Sequence, residues 1–204
     1  PAPARLRLTL EASGATRWEI HPLPAARPLW TLALAPVRLC SADPWLRHKT
    51  SRRDLYDRTR AALPAGIDEI VFRNERDEIC EGTITNLFFD LGRGLRTPPL
   101  ACGLLPGVLR SEIGCPEEIL PAAELPRARL WLGNALRGRS PARHVPEPAC
   151  SSACRQSPGG GRAGAPGAPG GAGPGLSPGL RRTVQYRVRS QTFPSPSPSR
   201  RWTS

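Results

Sequence analysis

The chain has one lysine, Lys49, against twenty-eight arginines in 204 residues. Arginine stays protonated, whereas a desolvated lysine can lose its proton and act as a nucleophile or a base. In a chain that otherwise uses arginine for positive charge, a single lysine is therefore a candidate for covalent or proton-transfer chemistry. The plainer interpretation is that Lys49 reflects a coding bias and has no chemical role.

A carboxylate opens the apolar run at residues 81–89, whose sequence is EGTITNLFF. Ionised glutamate is seldom buried unless a partner compensates its charge. If this run is a buried strand, Glu81 needs a cationic neighbour. The alternative is a surface position at the start of a strand.

Two glycine-containing loops are candidate anion sites. Residues 103–113 have the sequence GLLPGVLRSEI, which predicts a turn followed by a helix. The free N–H groups at a helix start bind anions, and phosphate above all. Residues 133–136, GNAL, follow a predicted strand and form a second loop whose backbone could face a ligand. Ordinary turns with no ligand would give the same two patterns.

The elements around Lys49 can be predicted from local signals. A helix is expected from Thr50 or Ser51, as its cap, to Pro64, because apolar residues recur at helical spacing between them. Lys49 would then precede a helix N-terminus, whose partial positive charge should lower the lysine's pKa.

The remaining elements are mostly short strands. A β-hairpin is expected where β-formers flank a glycine-containing turn, and a second one where a polar turn at residues 74–77 joins two apolar runs. Proline breaks predict short helical pieces over residues 117–128. The predicted strands are residues 5–10, 16–20, 29–34, 67–73, 84–89, 95–97, 129–132 and 141–145, and residues 78–81 lead into the strand at 84–89.

The last fifty-four residues differ in composition from the rest. Residues 151–204 contain eight arginines and no lysine, aspartate or glutamate, so they carry +8 of the formal +12 and leave about +4 for residues 1–150. Gly, Pro and Ala dominate residues 159–179, which predicts disorder after about residue 146, with at most a brief strand at residues 183–188. A basic tail also raises the hypothesis of nucleic-acid binding. Few aromatic residues are available there for stacking, so this hypothesis is the weaker one.

Other features exclude several classes of protein. The chain lacks methionine and begins with Pro1, so we expect a fragment. No signal peptide and no apolar run of the ~20 residues that a membrane span needs can be found, and we expect a cytoplasmic location. The six cysteines are scattered, and the close pair Cys150 and Cys154 has no histidine pair, so we expect reduced thiols and no metal site.

Four segments together resemble a known family. In order and spacing, they are similar to the class IV pyridoxal-phosphate enzymes, which include branched-chain and D-amino-acid aminotransferases and 4-amino-4-deoxychorismate lyase. The resemblance covers about residues 5–145 and is closest to the lyase, particularly the form fused behind aminodeoxychorismate synthase. The aminotransferases have threonine where this chain has Leu109, and their lysine segment differs. The segments are LRHKTSR at 46–52, EGTITNLF at 81–88, TPPLACGLLPGVLR at 97–110 and LGNALRG at 132–138.

The resemblance implies a role for each candidate residue. Lys49 would bind pyridoxal phosphate covalently and later carry a proton, and Glu81 would pair with the pyridine nitrogen so that the ring can accept negative charge. Backbone N–H groups of two loops would hold the cofactor phosphate. The loop residues are Gly107, Val108 and Leu109 on one side and Asn134 and Ala135 on the other.

The resemblance also implies a fold and a function. The expected fold class is α/β (α+β), the large domain of the fold-type IV enzymes, with the N-terminal small domain largely missing. Residues 1–44 would be final strands of the small domain and a linker, 45–146 the cofactor-binding domain, and 147–204 a disordered tail. The implied reaction converts 4-amino-4-deoxychorismate to 4-aminobenzoate and pyruvate in folate biosynthesis. The alternatives are an aminotransferase of the same fold and an inactive fragment. The implied partners are a small-molecule substrate, a second copy in a homodimer, and the synthase.

Overall fold

The computed structural model describes residues 4–146 and the backbone of residues 182–188. Within them the fold is mixed, with short helices and mostly antiparallel strands, as predicted. The helices are α1 (Asp54–Ala61) and α2 (Val108–Ile113), with 3₁₀ turns at Pro44–Arg47, Leu100–Cys102 and Ala122–Arg127. The strands are β1 (Ala4–Leu10), β2 (Thr16–Pro22), β3 (Trp30–Leu39), β4 (Glu69–Asn74), β5 (Ile79–Gly82), β6 (Asn86–Asp90), β7 (Arg129–Asn134), β8 (Gly138–His144) and β9 (Arg182–Val188).

Strands β3 to β8 form a closed barrel in sequence order. Neighbours from β4 to β8 are antiparallel, and β3 closes the barrel by pairing parallel with both β4 and β8. Closure leaves none of these strands with an unpaired edge. The barrel therefore gives a rigid frame to the loops at its rim.

Two apolar clusters stabilise the barrel. One contains Trp30, Val71 and Leu132, and the other contains Phe72 and Leu104 and packs against α1. Adjacent residues of β4 thus serve different clusters, because successive side chains of a strand point to opposite faces. Both faces of β4 are covered, which explains the uninterrupted apolar run at residues 70–72 in its middle.

A second, three-stranded sheet has the order β2-β1-β9. Strand β1 pairs antiparallel with β2 on one side and with β9 on the other. Alternation gives β1 two different faces. One bears Arg5, Arg7 and Thr9, which border a large cavity, and the opposite face of the hairpin includes Trp18 and Ile20, each 64% exposed.

Most predicted elements are found, but two local predictions are wrong. Helix α1 begins at Asp54, with Arg53 as its N-cap and no side-chain cap, whereas a cap at Thr50 or Ser51 was expected. The Thr50 hydroxyl instead accepts the Arg52 N–H at 3.2 Å and forms a local turn. Residues 78–81 were expected only to lead into a strand at residues 84–89, but they form most of a separate strand, β5, and a turn at residues 83–85 separates it from β6.

Three further differences concern longer-range structure. Strand β3 lies in the barrel, although the sequence assigns residues 1–44 to a small domain and linker. The segment at residues 95–97 contributes only isolated bridges. Strand β9 lies in the region predicted to be disordered, at the place where alternating β-formers allow a brief strand. The rest of residues 147–204 is outside the described residues.

Candidate active site

One cavity of about 1060 Å³ collects nearly all of the predicted site residues. Its walls come from the small sheet, helix α1 and the rim of the barrel. Leu109 does not line it; a Cβ on Gly133 would lie 2.6 Å from Leu109 Cδ2, so this side chain packs against β7. The predicted residues that line the cavity are Lys49, Glu81, Gly107, Val108, Asn134 and Ala135.

Lys49 stands in an extended segment between the 3₁₀ turn Pro44–Arg47 and helix α1. Lys49 is exposed to solvent and borders the cavity. Partial desolvation lowers the lysine's pKa from its ordinary value, the charge of Arg53 lowers it further, and Glu81 opposes the change. The direction agrees with the prediction. The cause differs, because desolvation and the charge of Arg53 lower the pKa, and the helix begins only at Asp54, five residues after Lys49.

Glu81 is the buried carboxylate of the site. It lies on β5 with 6% of its surface exposed. The Tyr56 hydroxyl donates to Oε1 at 3.0 Å, and Asn86 Nδ2 lies 3.5 Å from Oε2. Desolvation raises the pKa of Glu81 to about 7, against hydrogen bonds from the backbone of Leu105 and from Tyr56. A carboxylate so placed favours a cationic or proton-bearing partner.

Tyr56 is a site residue that the sequence did not reveal. Helix α1 carries it, and its ring lies 5.0 Å from that of Phe72, centroid to centroid. Burial raises the pKa of the phenol, and the charge of Glu81 adds to the effect, so the hydroxyl remains a donor. Its position seven residues after Lys49, on the helix expected to follow that lysine, was the available signal.

The turn at residues 83–85 is shaped by Glu69, which is fully buried at the start of β4. Glu69 accepts the backbone N–H of Thr83 at 3.0 Å and that of Ile84 at 3.3 Å, as well as the Thr85 hydroxyl at 3.0 Å. Arg60 pairs with the same carboxylate at 3.3 Å. The Thr83-Ile84-Thr85 sequence is thereby explained as a set of donors around one buried anion, while the Gly82 N–H donates to Thr85 O within the turn.

The first loop rests on Gly107. Its N–H donates to Leu105 O at 2.9 Å and is therefore committed within the turn. The N–H groups of Val108 and Leu109 stand in the first turn of α2, where helix geometry offers them no acceptor. Of the three predicted donors, Val108 and Leu109 thus keep that capacity. A Cβ on Gly107 would lie 2.0 Å from Asn86 Oδ1, so only glycine allows the close approach.

The second loop is held by the side chain of Asn134. Its Oδ1 accepts the N–H groups of Leu136 and Arg137, both at 3.0 Å. Its Nδ2 donates to Ile84 O at 2.9 Å. Asn134 therefore joins the β7–β8 turn to the turn that follows Glu81, and the two halves of the cavity rim are fixed to each other.

Two further points concern metal ions and membranes, for the part of the chain that the structure describes. No group of three or more His, Cys, Asp or Glu side chains there is placed to hold a metal ion. No helix there is long and apolar enough to cross a membrane.

Comparisons with known proteins point to one protein family. The sequence profile described as amino-transferase class IV matches residues 2–145. A Mesorhizobium loti structure, provisionally named an amino-acid aminotransferase, is 47% identical over 70% of this chain and 73% of its own, with a TM-score of 0.66. None of the curated protein sequences matches significantly.

Two more distant structures share the fold. The 4-amino-4-deoxychorismate lyase from Pseudomonas aeruginosa is 25% identical over 67% of this chain and 57% of its own, with a TM-score of 0.56. A hypothetical aminotransferase from Mycobacterium tuberculosis, in its pyridoxal-phosphate-bound form, is 20% identical over 66% of this chain and 56% of its own, also with a TM-score of 0.56. The chain thus spans little more than half the length of these two proteins.

Proposed function

We propose, from the premise that this chain belongs to the amino-transferase class IV family, that the cavity holding Lys49 and Glu81 is its active site. Members of this family depend on pyridoxal phosphate and act on small molecules. The observation that carries the proposal is that one cavity contains both the chain's one lysine, whose pKa is lowered, and a buried carboxylate, whose pKa is raised. Perturbed groups of opposite type in a cleft are typical of catalytic sites.

The residues present fit the cofactor. Lys49 is the only lysine in the chain and is reached from the cavity, so it is the residue to bind the aldehyde. Glu81 would face the ring nitrogen, and the N–H groups of Val108 and Leu109 would hold the phosphate, with Asn134 and Ala135 closing the other side. Bound there, pyridoxal phosphate would supply an electron sink for charge that develops on the substrate.

The chain's own groups would move and hold the protons. A lowered pKa leaves the Lys49 amine uncharged at a lower pH than usual, so Nζ could accept a proton from the substrate and later return it. The Tyr56 hydroxyl fixes one oxygen of Glu81, and the carboxylate held in this way would keep a proton on the cofactor's ring nitrogen. Arg53 donates to Thr83 O at 2.8 Å, which holds its charge between Lys49 and the turn after Glu81.

We infer that the reaction is the lyase one, in which 4-amino-4-deoxychorismate gives 4-aminobenzoate and pyruvate. Nζ of Lys49 would remove a proton from the substrate ring, the bond between the ring carbon and the enolpyruvyl oxygen would break so that the oxygen leaves with the enolpyruvyl group, and a proton returned to the methylene carbon would complete pyruvate. Atoms balance without an oxidant, and aromatisation drives the step. Likeness to the Pseudomonas aeruginosa lyase supports this reaction, as does Leu109, which puts an apolar contact on Gly133 where the aminotransferases have a hydroxyl.

A second candidate is transfer of the amino group to a 2-oxo acid. The observation in its favour is the 47% identity to the Mesorhizobium loti protein, whose provisional name is amino-acid aminotransferase. The two reactions differ in their products. Only the lyase releases pyruvate from aminodeoxychorismate when no 2-oxo acid is present to accept the amino group.

Product analysis tests the proposal. The full chain, loaded with pyridoxal phosphate, would be given 4-amino-4-deoxychorismate, and pyruvate would be measured with lactate dehydrogenase and NADH; protein without cofactor is the control. We expect pyruvate and 4-aminobenzoate in equal amounts. Glutamate formed from 2-oxoglutarate and an amino acid, with no pyruvate from aminodeoxychorismate, would replace the lyase by the aminotransferase.

We also propose the setting that the family resemblance implies. The protein would act in the cytoplasm as a homodimer, with aminodeoxychorismate synthase as a fused or separate partner, and would supply 4-aminobenzoate for folate synthesis. Light scattering of the purified chain tests the dimer, and copurification with the synthase tests the partnership. A purified chain that is monomeric and catalytically active would contradict the proposed homodimer.

A further inference from the structure

Arg137 is a cation without a counter-ion at the wall of the cavity. It lies on the turn between β7 and β8 and is half-buried. No described residue forms a hydrogen bond or an ion pair with its guanidinium group. The guanidinium group makes a cation–π contact with Trp30, whose ring centroid lies 5.9 Å from Cζ of Arg137. A half-buried charge of this kind is costly unless something compensates it.

The charged surroundings of Arg137 are mainly positive. Desolvation lowers its pKa, and the charges of Arg60 and Arg5 lower it further, while Glu69 opposes them. Arg27 also contributes, but Asp68 pairs with it at 2.5 Å. The protein thus places several cations together where each disfavours the others.

We call Arg5, Arg60 and Arg137 the arginine cluster. Arg60 forms an ion pair with Glu69, whose carboxylate also accepts hydrogen bonds from the turn at residues 83–85. Nε of Arg5 is buried without a hydrogen-bond partner among the described residues. Three guanidinium groups and one carboxylate leave the cluster with a formal charge of +2. An anion from outside the chain would complete it.

The cluster brings together the three units that enclose the cavity. Arg5 comes from the small sheet, Arg60 from α1 and Arg137 from the barrel rim, and all three line the cavity that contains Lys49. A guanidinium group binds a carboxylate through two parallel hydrogen bonds, which gives orientation as well as attraction. A substrate carboxylate held by this cluster would therefore orient the substrate in the cavity of the reacting lysine.

We propose that the arginine cluster binds a carboxylate of the substrate, with Arg137 as the residue that determines specificity for acidic substrates. This proposal rests on the proposed function of the cavity and extends it to the substrate's second charged group. The cofactor phosphate is another anion that could lie here. The two sources can be separated, because one is recognised with the substrate and the other with the cofactor.

Calorimetric titration with chorismate tests the assignment. Chorismate has two carboxylates and lacks the amine, so it can bind to the cofactor-loaded full chain without reacting. We expect Arg137→Gln to weaken its binding by about 10- to 100-fold, the effect of losing one charge-assisted contact. Arg137→Lys, which keeps the charge, should restore part of the affinity. Arg127→Gln is the matched control, because it removes the same charge from a side chain that is 76% exposed.

Each outcome supports or overturns the proposal. Equal chorismate affinity in Arg137→Gln and wild type, or no binding to wild type, would overturn it. Weaker pyridoxal-phosphate binding in Arg137→Gln with unchanged chorismate affinity would assign the cluster to the cofactor phosphate instead. Binding of chorismate that depends on Arg137, with no pyruvate released from aminodeoxychorismate, would sustain the cluster and reject the lyase reaction. Pyruvate release with an unchanged KM in Arg137→Gln would support the lyase reaction and reject the role of the arginine cluster.

Discussion

At the scale of single residues, the cavity disfavours the charged forms of both its principal groups. Burial lowers the pKa of Lys49 and raises that of Glu81 to about 7, so the two values move towards each other. A lysine whose pKa is lowered and a carboxyl whose pKa is raised to about 7 are suited to carrying and holding a proton, respectively.

Lys49→Arg should abolish covalent binding of the cofactor. The substitution keeps the positive charge and the approximate size, but a guanidinium group does not form the bond that an amine forms with an aldehyde. The measurement is the mass of the protein after incubation with pyridoxal phosphate and reduction with borohydride. Wild type should gain one cofactor and the variant none. A cofactor still attached in Lys49→Arg would show that this lysine is not the attachment site.

Glu81→Gln should change the pH dependence of stability in the cofactor-free protein. The carboxyl has a pKa of about 7 when folded and 4.5 ordinarily, so the folded state retains a proton that the unfolded state loses. This stabilisation is complete below about pH 4.5 and is lost as the pH rises through 7, by about 3 kcal/mol in total. The glutamine amide does not titrate. The variant should therefore match wild type near pH 5 and exceed it at pH 8.

Urea unfolding of both proteins at pH 5 and pH 8 measures this effect, and the difference between variant and wild type cancels the other titrating groups. The same variant, loaded with cofactor, should lose about 10²-fold or more in turnover. A stability difference that does not vary with pH would place the Glu81 carboxyl in a more solvated site than the one described.

Residue type alone was enough to single out Lys49 and Glu81, because one is unique and the other interrupts an apolar run. Tyr56 and Arg137 were missed for a physical reason. Each acquires its role from groups distant in sequence, Tyr56 from a carboxylate twenty-five positions away and Arg137 from arginines on two other elements. No local pattern encodes such contacts.

At the scale of elements, the turn between β5 and β6 depends on one buried anion. Glu69→Ala should lower the free energy of unfolding by about 3 kcal/mol, because several donors and Arg60 would lose their acceptor. Glu124→Ala is a suitable comparison, since its ion pair with Arg127 is exposed and such pairs contribute about 0–1 kcal/mol. Chemical denaturation of both variants provides the measurement. Equal, small losses would mean that the turn holds its shape without Glu69.

The loop before α2 depends on a missing side chain. Gly107→Ala should weaken pyridoxal-phosphate binding about tenfold, a loss of ~1.4 kcal/mol, because the added Cβ would displace Asn86 and its 2.9 Å hydrogen bond to Leu105 O. Val108→Ala is the control: that side chain is 52% exposed and its backbone N–H is kept. Spectroscopic titration with the cofactor distinguishes them. Equal weakening in both would indicate that the Val108 side chain, and not its backbone, contacts the cofactor.

Element prediction succeeded where the signal is local and failed where tertiary contacts decide. Both hairpins and the helix after Lys49 follow from alternation, turn residues and helical spacing. The break between β5 and β6 does not, because it is imposed by Glu69 from another strand. The helix start also shifted, since the Thr50 hydroxyl caps a preceding turn and not the helix.

At the scale of the whole molecule, the site lies between the barrel and the small sheet. Local sequence signals did not predict which strands pair with one another in either of them. Closure of the barrel joins β3 to β8 across more than a hundred residues, with Trp30 opposite Ala142. Since neither strand carries a signal for the other, residues 29–34 were placed outside the cofactor-binding domain. The family resemblance indicated the fold class, although the boundary at residue 44 that it implied separates β3 from the barrel that this strand closes.

The small sheet links the C-terminal region to the cavity. Among the described strands, β9 pairs with β1 alone, the opposite edge of β1 pairs with β2, and one face of β1 supplies Arg5 to the arginine cluster. A two-stranded ribbon is marginally stable by itself, and a third strand strengthens it. Order in β1 and affinity for an acidic substrate should therefore depend on a segment that is distant from the chemistry.

A chain shortened to residues 1–150 should separate the two halves of the site. Lys49 and Glu81 are positioned by the barrel and its rim, so cofactor attachment should persist. Strand β1 loses its β9 partner, so its amide hydrogens should exchange faster, and chorismate should bind several-fold more weakly as Arg5 becomes less ordered. Hydrogen exchange resolved to β1 and the same calorimetric titration measure both effects. In a Tyr186→Pro variant of the full chain, proline removes a backbone donor from β9, and we expect the same direction of change with the charge of the tail retained. Unchanged exchange in β1 in both proteins would show that β9 does not support the hairpin in solution.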